Sequence, residues 1–301
     1  MKLTLGTRGS LLARTQSEQV AGMLRERGHE VALTVIVTRG DREQSKPVPE
    51  LGGKGLFTVE LEQALRDGSI DLAVHSLKDL PTDDTDGVAV VAIPPREDPR
   101  DALVARGRRL DDLPPGARVG TASLRRRALL ASKRPDLEIA PLRGNVDTRL
   151  GKVASGELDA VILAAAGLHR IDRKDVIDEY LAFPPAPAQG ALGIQASTAA
   201  AAEEVRAALL ALHDAGTARH VLAERTMLAA LGGGCSVPVG GLAQPVPGAP
   251  GVIRLHGVVA APDGSSLVAG EMEDGDPVAL GRAVARALVE QGAKEILDAA
   301  R

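Results

Sequence analysis

Short runs of β-branched and apolar residues alternate with amphipathic runs over the first third of the chain. Runs of the first kind predict strands, and runs of the second kind predict helices. The predicted strands are 2–5, 31–37, 70–74 and 88–93, and the predicted helices are 11–27 and 56–66. Strands that alternate with helices favour a mainly parallel sheet covered on both faces, which is an α/β fold.

The same order of elements starts again after a proline-rich stretch, 94–99, that can continue neither a helix nor a strand. Three segments before this stretch are echoed, in the same order, after it. The pairs are 6–11 with 120–124, 38–41 with 142–145, and 68–73 with 156–161. We therefore predict two similar α/β lobes, 1–95 and 100–185. A second proline-rich stretch, 183–190, returns the chain to the first lobe through 191–214, and two connections between two lobes suit a hinged cleft.

The remainder of the chain, 217–301, follows a different pattern. Its predicted elements are a helix at 219–231, strands near 237, at 252–259 and at 267–271, and a last helix in which Leu280, Val284 and Leu288 recur every four residues. This order predicts a small α+β domain at the C-terminus.

Composition narrows the classes of ligand. Aromatic residues make up 1% of the 301 residues, so surfaces that stack on nucleic-acid bases are nearly excluded, and the net charge of -4 gives no overall attraction to nucleic acid or anionic lipid. One cysteine allows neither an intrachain disulfide nor a cysteine-rich metal site. The N-terminus lacks the apolar core of a signal peptide, and no stretch approaches the ~20 apolar residues of a membrane span. We expect a cytoplasmic monomer that binds no nucleic acid, membrane or metal.

Basic residues stand where helices are predicted to begin. They are Arg8 with Ser10, Lys54 between glycines, Arg125 and Arg126 after Ser123, and Arg143 followed by Arg149. Helix N-termini attract anions, and guanidinium groups match carboxylates with two hydrogen bonds. Segment 52–55 lacks the ending of a Walker loop, so a polycarboxylate bound at several points fits better than a nucleotide. The alternative for each residue is an ordinary solvated surface charge.

Two further segments are candidates for chemistry. Segment 75–81 ends a strand at the carboxyl edge of the first sheet, where Lys78 could bind an anion and Asp79 could act as acid or base, although this pair is also common turn chemistry. His75 is interpreted as a structural residue of the strand. A lone cysteine is usually a small buried apolar residue, but Cys235 follows three glycines, which favours an attachment point or a nucleophile.

Motifs spread over nearly the whole chain resemble those of the porphobilinogen deaminase family. In order they are TRGS (7–10), VTRGD (37–41), GGKGLF (52–57), HSLKDLP (75–81), REDPRDA (96–102), LRGNV (142–146) and GGCSVP (233–238). The resemblance implies two lobes like those of type 2 periplasmic binding proteins, plus a third domain that carries a cofactor cysteine. It also implies a transferase of haem biosynthesis that joins four porphobilinogen units head to tail, with loss of ammonia, and releases the linear tetrapyrrole hydroxymethylbilane.

The resemblance also assigns residues. Cys235 would carry a dipyrromethane cofactor through a thioether, and Asp79 matches the catalytic aspartate. The positions that match binders of acetate and propionate side chains are Arg8, Ser10, Lys78, Arg125, Arg126, Arg143, Arg149 and Arg170, and those that match polar groups around the cofactor or growing chain are Thr121, Ser123 and Gln189. Ala122 replaces a frequent serine, and Ala188 precedes Gln189 where glycine is common. We expect neither alanine to contact a charged group, so neither departure should affect the function.

Two other functions explain part of the pattern. A non-enzymatic, two-lobed binding protein for a small carboxylate anion accounts for the lobes and the basic helix starts, but not for the third domain or the cysteine loop. An effector-sensing regulator would need a DNA-reading pair of helices, which the sequence does not show.

Overall fold

The computed structural model describes residues 1–42, 58–83, 85–234 and 237–300. The strands are β1 (Lys2–Thr7), β2 (Glu30–Val35), β3 (Leu72–Ser76), β4 (Val88–Ala92), β5 (Asp101–Val104), β6 (Arg118–Gly120), β7 (Glu138–Ala140), β8 (Ala160–Ala164), β9 (Glu179–Leu181), β10 (Leu192–Ser197), β11 (Val239–Pro245), β12 (Ile253–Ala260) and β13 (Leu267–Asp274). The helices are α1 (Leu11–Arg25), α2 (Arg39–Arg42), α3 (Val59–Arg66), α4 (Leu124–Lys133), α5 (Val146–Ala154), α6 (Ala165–Arg170), α7 (Glu203–Leu210), α8 (Ala215–Ala230), α9 (Pro277–Glu290) and α10 (Ala293–Ala299).

The chain forms two compact units. The first comprises Met1–Glu97 and Ala191–Ala218, and the second comprises Asp98–Gly190 and Arg219–Arg301. No helix in the described part of the chain is both long and apolar enough to cross a membrane.

The first unit is built on a five-stranded sheet in the order β2-β1-β3-β10-β4. Strands β1, β2 and β3 are parallel, and β10 is antiparallel to both β3 and β4, so every strand except β10 runs in one direction. This confirms the mainly parallel sheet. Helix α1 buries Val20, Ala21 and Leu24 against Leu5 and Leu72 of the sheet, which is the apolar stripe expected of an amphipathic helix.

The second unit contains a sheet with the same arrangement of strand directions, in the order β7-β6-β8-β5-β9, with β5 antiparallel to its two neighbours. The antiparallel strand comes last along the chain in the first sheet and first in the second. Equivalent contacts recur in the two sheets. Asp71 Oδ2 accepts a hydrogen bond from the backbone N of Thr4 at 2.7 Å, and Asp159 Oδ2 accepts one from the N of Arg118 at 2.8 Å. The internal similarity that the sequence echoes predict is therefore confirmed. The fold class is α/β, with two five-stranded sheets of corresponding strand order.

Close packing explains why the two echoed segments share a glycine, which is Gly6 in β1 and Gly120 in β6. A Cβ on Gly6 would collide with Ile70, and a Cβ on Gly120 would collide with Leu158. Ile70 and Leu158 each lie one residue before the aspartate of the shared contact. In both sheets a glycine therefore lets one segment pack directly on the neighbouring strand, the segment before β3 on β1 and the segment before β8 on β6.

The C-terminal part of the second unit is the predicted small α+β domain. Its antiparallel sheet has the order β11-β12-β13, and helices α9 and α10 pack on it. Leu280, Val284 and Leu288 are fully buried against Leu255 and Val259, as their spacing predicts. Each buried side chain of this kind contributes about 1.5–3 kcal/mol by leaving water.

Several element boundaries differ from the sequence prediction. The helix predicted at 219–231 begins at Ala215, because Asp214 Oδ1 accepts a hydrogen bond from the backbone N of Thr217 at 2.6 Å and so satisfies a free N–H of its first turn. The strand predicted near 237 begins at Val239, and helix α10 was not predicted. The helix predicted at 56–66 begins at Val59, with Thr58 as its N-cap, and residues 56 and 57 lie outside the described residues.

Candidate active site

Four predicted site residues lie at one edge of the sheet of the first unit. Arg8 directly follows β1, and Ser10 is the N-cap of α1, where its Oγ accepts a hydrogen bond from the N of Ala13 at 3.3 Å. Lys78 and Asp79 lie in a 3₁₀ turn, Leu77–Asp79, directly after β3. Because β1 and β3 are adjacent and parallel, their carboxyl ends meet, and this edge is where open α/β sheets bind ligands.

Two buried leucines hold the turn that presents Asp79. Leu77 and Leu80 are buried, whereas Lys78 is half-buried and Asp79 is exposed. The backbone N of Leu77 donates to the carbonyl of Ala191 at 3.0 Å. A Cβ on Gly193 would lie 2.9 Å from Cδ1 of Leu77, so this glycine leaves room for the leucine anchor. The packing therefore places the carboxylate of Asp79 on the outside of a firmly held turn.

His75 is a buried residue of β3, which confirms the structural interpretation. Burial penalises the charged imidazolium, and the positive charge of Arg8 acts in the same direction, so the pKa of His75 falls to about 4. The imidazole is therefore neutral at physiological pH.

Lowering the pH from 7 to 5 should destabilise the protein through His75. The unfolded chain protonates this residue near pH 6.5, whereas the folded protein does so only near pH 4, so the unfolded state binds more protons between these values. We expect the free energy of unfolding in urea to fall by about 2 kcal/mol more in the wild type than in His75→Leu between pH 7 and pH 5. Equal losses in the two proteins would contradict the buried neutral imidazole.

In the second unit, two of the predicted basic residues share one buried carboxylate. Asp101 is fully buried at the start of β5. Its Oδ2 accepts from Arg125 Nη1 at 2.7 Å, and its Oδ1 accepts from Arg126 Nη2 at 2.8 Å and from Gln189 Nε2 at 2.9 Å. These four residues are called the Asp101 cluster below. The structure thus brings Arg125, Arg126 and Gln189 together around an aspartate to which the sequence assigned no role.

The Asp101 cluster carries more positive than negative charge. Burial alone would raise the pKa of Asp101, but the guanidinium groups of Arg125 and Arg126 hold it well below its usual range, so the carboxylate is ionised. One carboxylate then faces two guanidinium groups. Among the described residues, the buried Nε of Arg125 has no hydrogen-bond partner. A buried donor next to excess positive charge is suited to an anion.

Replacing Asp101 with asparagine should strongly destabilise the protein, because two buried guanidinium groups would lose their counter-charge. We expect the free energy of unfolding to drop by about 3–5 kcal/mol, measured by urea denaturation. Asp136→Asn is the matched control, since Asp136 pairs with Arg134 at the surface and its loss should cost no more than about 1 kcal/mol. Similar losses in the two variants would show that the Asp101 cluster is not held by its charges.

The other predicted residues of the second unit follow strands β6 and β7 or lie in helices α5 and α6. Ser123 caps α4, and its N donates to Thr121 Oγ1 at 3.2 Å. Arg143 follows β7. Arg149 lies in α5, and its Nε donates at 2.8 Å to the carbonyl of Gly144 in the loop before that helix. Arg170 ends α6, and its Nη2 donates to the carbonyl of Gly190 at 2.7 Å.

Two predicted residues, Lys54 and Cys235, lie outside the described residues. The described chain stops before Cys235 at Gly234, four residues after the end of α8. Within the described residues, no group of three or more His, Cys, Asp or Glu side chains could hold a metal ion.

The expectation that Ala188 touches no charge is wrong. Its backbone N donates to Oε2 of the fully buried Glu224 at 2.6 Å. Ala188 also has φ of +64°, in the left-handed region where glycine is favoured. Sequence inspection missed both Glu224 and Asp101. For Asp101, the available signals were an acid directly before the apolar run 102–105 and the consecutive arginines at the start of α4, because buried arginines require acidic partners.

Comparison with known families identifies the family of this chain. Residues 3–232 match the model of the porphobilinogen deaminase, dipyromethane cofactor binding domain, and residues 218–290 match that of the porphobilinogen deaminase C-terminal domain. The chain belongs to the porphobilinogen deaminase family. It is accordingly a transferase of tetrapyrrole biosynthesis with hydroxymethylbilane synthase activity, and it uses a dipyrromethane cofactor.

Named porphobilinogen deaminases align along almost their full length. One from Thermobifida fusca is 48% identical over 98% of this chain and 96% of its own length, and one from Mycobacterium avium is 47% identical over 99% and 98%. Among solved structures, a nutrient binding protein from Burkholderia cenocepacia bound to methionine has a TM-score of 0.44 and 13% identity, covering 69% of this chain and 90% of that one. The family assignment does not depend on that weak structural similarity.

The residues around Asp101 fit the cofactor of the porphobilinogen deaminase family. Dipyrromethane carries carboxylate side chains, and the Asp101 cluster combines excess positive charge with a buried Nε on Arg125 for which the described residues offer no acceptor. The chemistry of these donors therefore matches the ligand that the family model names.

Proposed function

We propose that Asp79 is the catalytic carboxylate of this family's reaction and that Cys235 carries the cofactor. The observation that carries the proposal is the position of Asp79 next to Lys78 on a turn held by buried leucines, at the carboxyl end of β3. The adjacent parallel strand β1 ends directly before Arg8. When bound, dipyrromethane supplies the pyrrole carbon to which the first porphobilinogen is joined.

The proposed role of Asp79 is electrostatic. Its carboxylate accepts hydrogen bonds from pyrrole N–H groups and stabilises the positive charge that develops on the substrate when the C–N bond breaks and the amino group leaves as ammonia. A new C–C bond then forms, and the attacked pyrrole carbon loses a proton. A charge placed in advance at the site of a developing charge is among the largest contributions to catalysis.

Basic and polar residues of both units are proposed to bind the substrate and the cofactor. In the first unit these are Arg8, Ser10 and Lys78, with Lys54 from the region outside the described residues, and in the second they are Thr121, Ser123, Arg125, Arg126, Arg143, Arg149, Arg170 and Gln189. Each added porphobilinogen brings an acetate and a propionate. The repulsion among these groups must be offset by several cations, which explains why so many arginines serve one reaction.

Three further properties are part of the proposal. The chain would consist of three domains, 1–95 with 191–214, 100–185 and 217–301, which agree in number with the three sheets formed by the described residues. It would act in the cytoplasm, because a thiol that forms a thioether must stay reduced. It would act as a monomer that binds no nucleic acid, which sedimentation of the protein with and without a duplex can test.

Incubation of the purified protein with porphobilinogen tests the proposed function. We expect consumption of the substrate and release of four ammonia molecules for each hydroxymethylbilane formed. Reversible binding of porphobilinogen without release of ammonia would instead support a non-enzymatic binding protein for a carboxylate anion and would reject the proposal.

A further inference from the structure

Ala188 is a strained residue whose backbone is held by a buried carboxylate. Its φ of +64° is costly for a residue with a Cβ, yet it is fully buried within the second unit. Its N–H donates to Glu224 Oε2 at 2.6 Å, and a hydrogen bond to a charged acceptor is stronger than one between neutral groups. This bond offsets the conformational cost at a position where glycine would need no support.

The two residues after Ala188 contact the proposed anion-binding arginines. Gln189 Oε1 accepts from Arg126 Nη2 at 3.4 Å, and Gln189 Nε2 donates to Asp101 Oδ1 at 2.9 Å. The carbonyl of Gly190 accepts from Arg170 Nη2 at 2.7 Å. A change in the backbone at Ala188 would therefore move acceptors that orient Arg126 and Arg170.

Glu224 is itself firmly placed. It lies on α8, is fully buried, and its second oxygen accepts from the backbone N of Ala243 in β11 at 2.8 Å. The same carboxylate thus bonds the connection that contains Ala188 and the sheet of the C-terminal domain. Cys235 follows Glu224 by eleven residues along the chain.

We infer that Glu224 is a positioning residue for anion binding. By holding Ala188 in the left-handed conformation, it fixes the positions of Gln189 and Gly190. These two residues in turn orient the side chains of Arg126 and Arg170. The inference rests on the proposed function, because these arginines are proposed to bind the carboxylates of cofactor and substrate. It concerns this chain in particular, since it depends on alanine at position 188.

The test is a rescue experiment on Glu224→Gln. We expect the KM for porphobilinogen to rise about tenfold while kcat changes less than about threefold, because mispositioned arginines weaken binding in the ground state and the transition state alike. Adding Ala188→Gly should return the KM to within about threefold of the wild type, since glycine adopts this φ without help from Glu224.

Arg106→Gly in the Glu224→Gln background is the matched control. Arg106 is another non-glycine residue of the second unit with positive φ, +52°, and its side chain pairs with Asp159 rather than with the Asp101 cluster. Arg106→Gly should leave the KM of Glu224→Gln elevated. Equal rescue by the two glycines would overturn the inference, because it would show a general gain in stability. An unchanged KM in Glu224→Gln would also overturn it.

A stability measurement, which does not depend on enzymatic activity, accompanies the kinetics. Urea denaturation of the wild type, Glu224→Gln, Ala188→Gly and the double variant should show coupling, with Ala188→Gly stabilising the Glu224→Gln background more than the wild type. Additive effects would overturn the inference. If Glu224→Gln does not fold, Glu224→Asp, which is one methylene shorter, replaces it in both measurements. Failure of the wild type to consume porphobilinogen would instead reject the proposed function. The urea denaturation of the four proteins would still test whether Glu224 holds Ala188.

Discussion

Replacing Cys235 with serine is expected to abolish turnover of porphobilinogen and to remove one dipyrromethane from the mass of the denatured protein. Cys235 is the single cysteine of the chain, and it follows three glycines. A thiol is far more nucleophilic near neutral pH than a serine hydroxyl, so serine should not form the linkage. Intact-mass spectrometry of protein produced in a host that supplies the pyrrole measures the increment directly.

A variant with its cysteine at another position tests whether any thiol can carry the cofactor. In the Cys235→Ser background, Ser155→Cys restores one thiol on an exposed turn after α5. This chain should have the mass of its sequence and remain inactive. Persistence of the added mass in Cys235→Ser would move the attachment site elsewhere, and the assignment of Cys235 would be wrong.

Asp79→Ala should keep the cofactor and lose most of the turnover. We expect kcat to fall about 100- to 1000-fold, since removal of one preorganised electrostatic group typically has that effect. The fold should be retained, because Asp79 is exposed and the turn is held by the buried Leu77 and Leu80. Steady-state kinetics together with intact-mass measurement separate lost catalysis from lost cofactor.

Two variants sharpen the test of Asp79. Asp79→Asn retains the shape of the side chain and removes the charge, so a loss as large as that of Asp79→Ala would assign the effect to charge. Asp86→Ala removes an exposed carboxylate from the turn before β4 in the same unit and should leave kcat within about twofold. Near-normal activity of Asp79→Ala would remove this residue from the mechanism.

Local patterns predicted the parts of the fold that depend on neighbours in sequence. The spacing of Leu280, Val284 and Leu288 predicted a buried helix face, and all three are buried. Ser10 and Ser123 stand at the helix starts that the basic residues marked, and both are N-caps. Such features follow from helix periodicity and from the free N–H groups of a first turn, which act within a few residues.

The arrangement around Asp101 could not be predicted in the same way. Asp101 bonds Arg125 and Arg126 from 24 and 25 residues away, and Gln189 from 88 residues away. The left-handed backbone of Ala188 depends on Glu224, 36 residues further along the chain. A preference for glycine at that position was visible in the family resemblance, but the reason for it was not.

The sequence by itself determined the two repeated lobes, the small C-terminal domain and the residues that carry the family resemblance, from Arg8 to Cys235. Each of these is encoded in short segments whose periodicity and composition can be interpreted without distant partners. Only the tertiary structure decided that Arg125 and Arg126 share the buried Asp101, that His75 is neutral, and that Glu224 supports Ala188. Burial sets these properties, because removal from water makes an unpaired charge costly and forces each buried polar group to find a partner that the fold alone brings within reach.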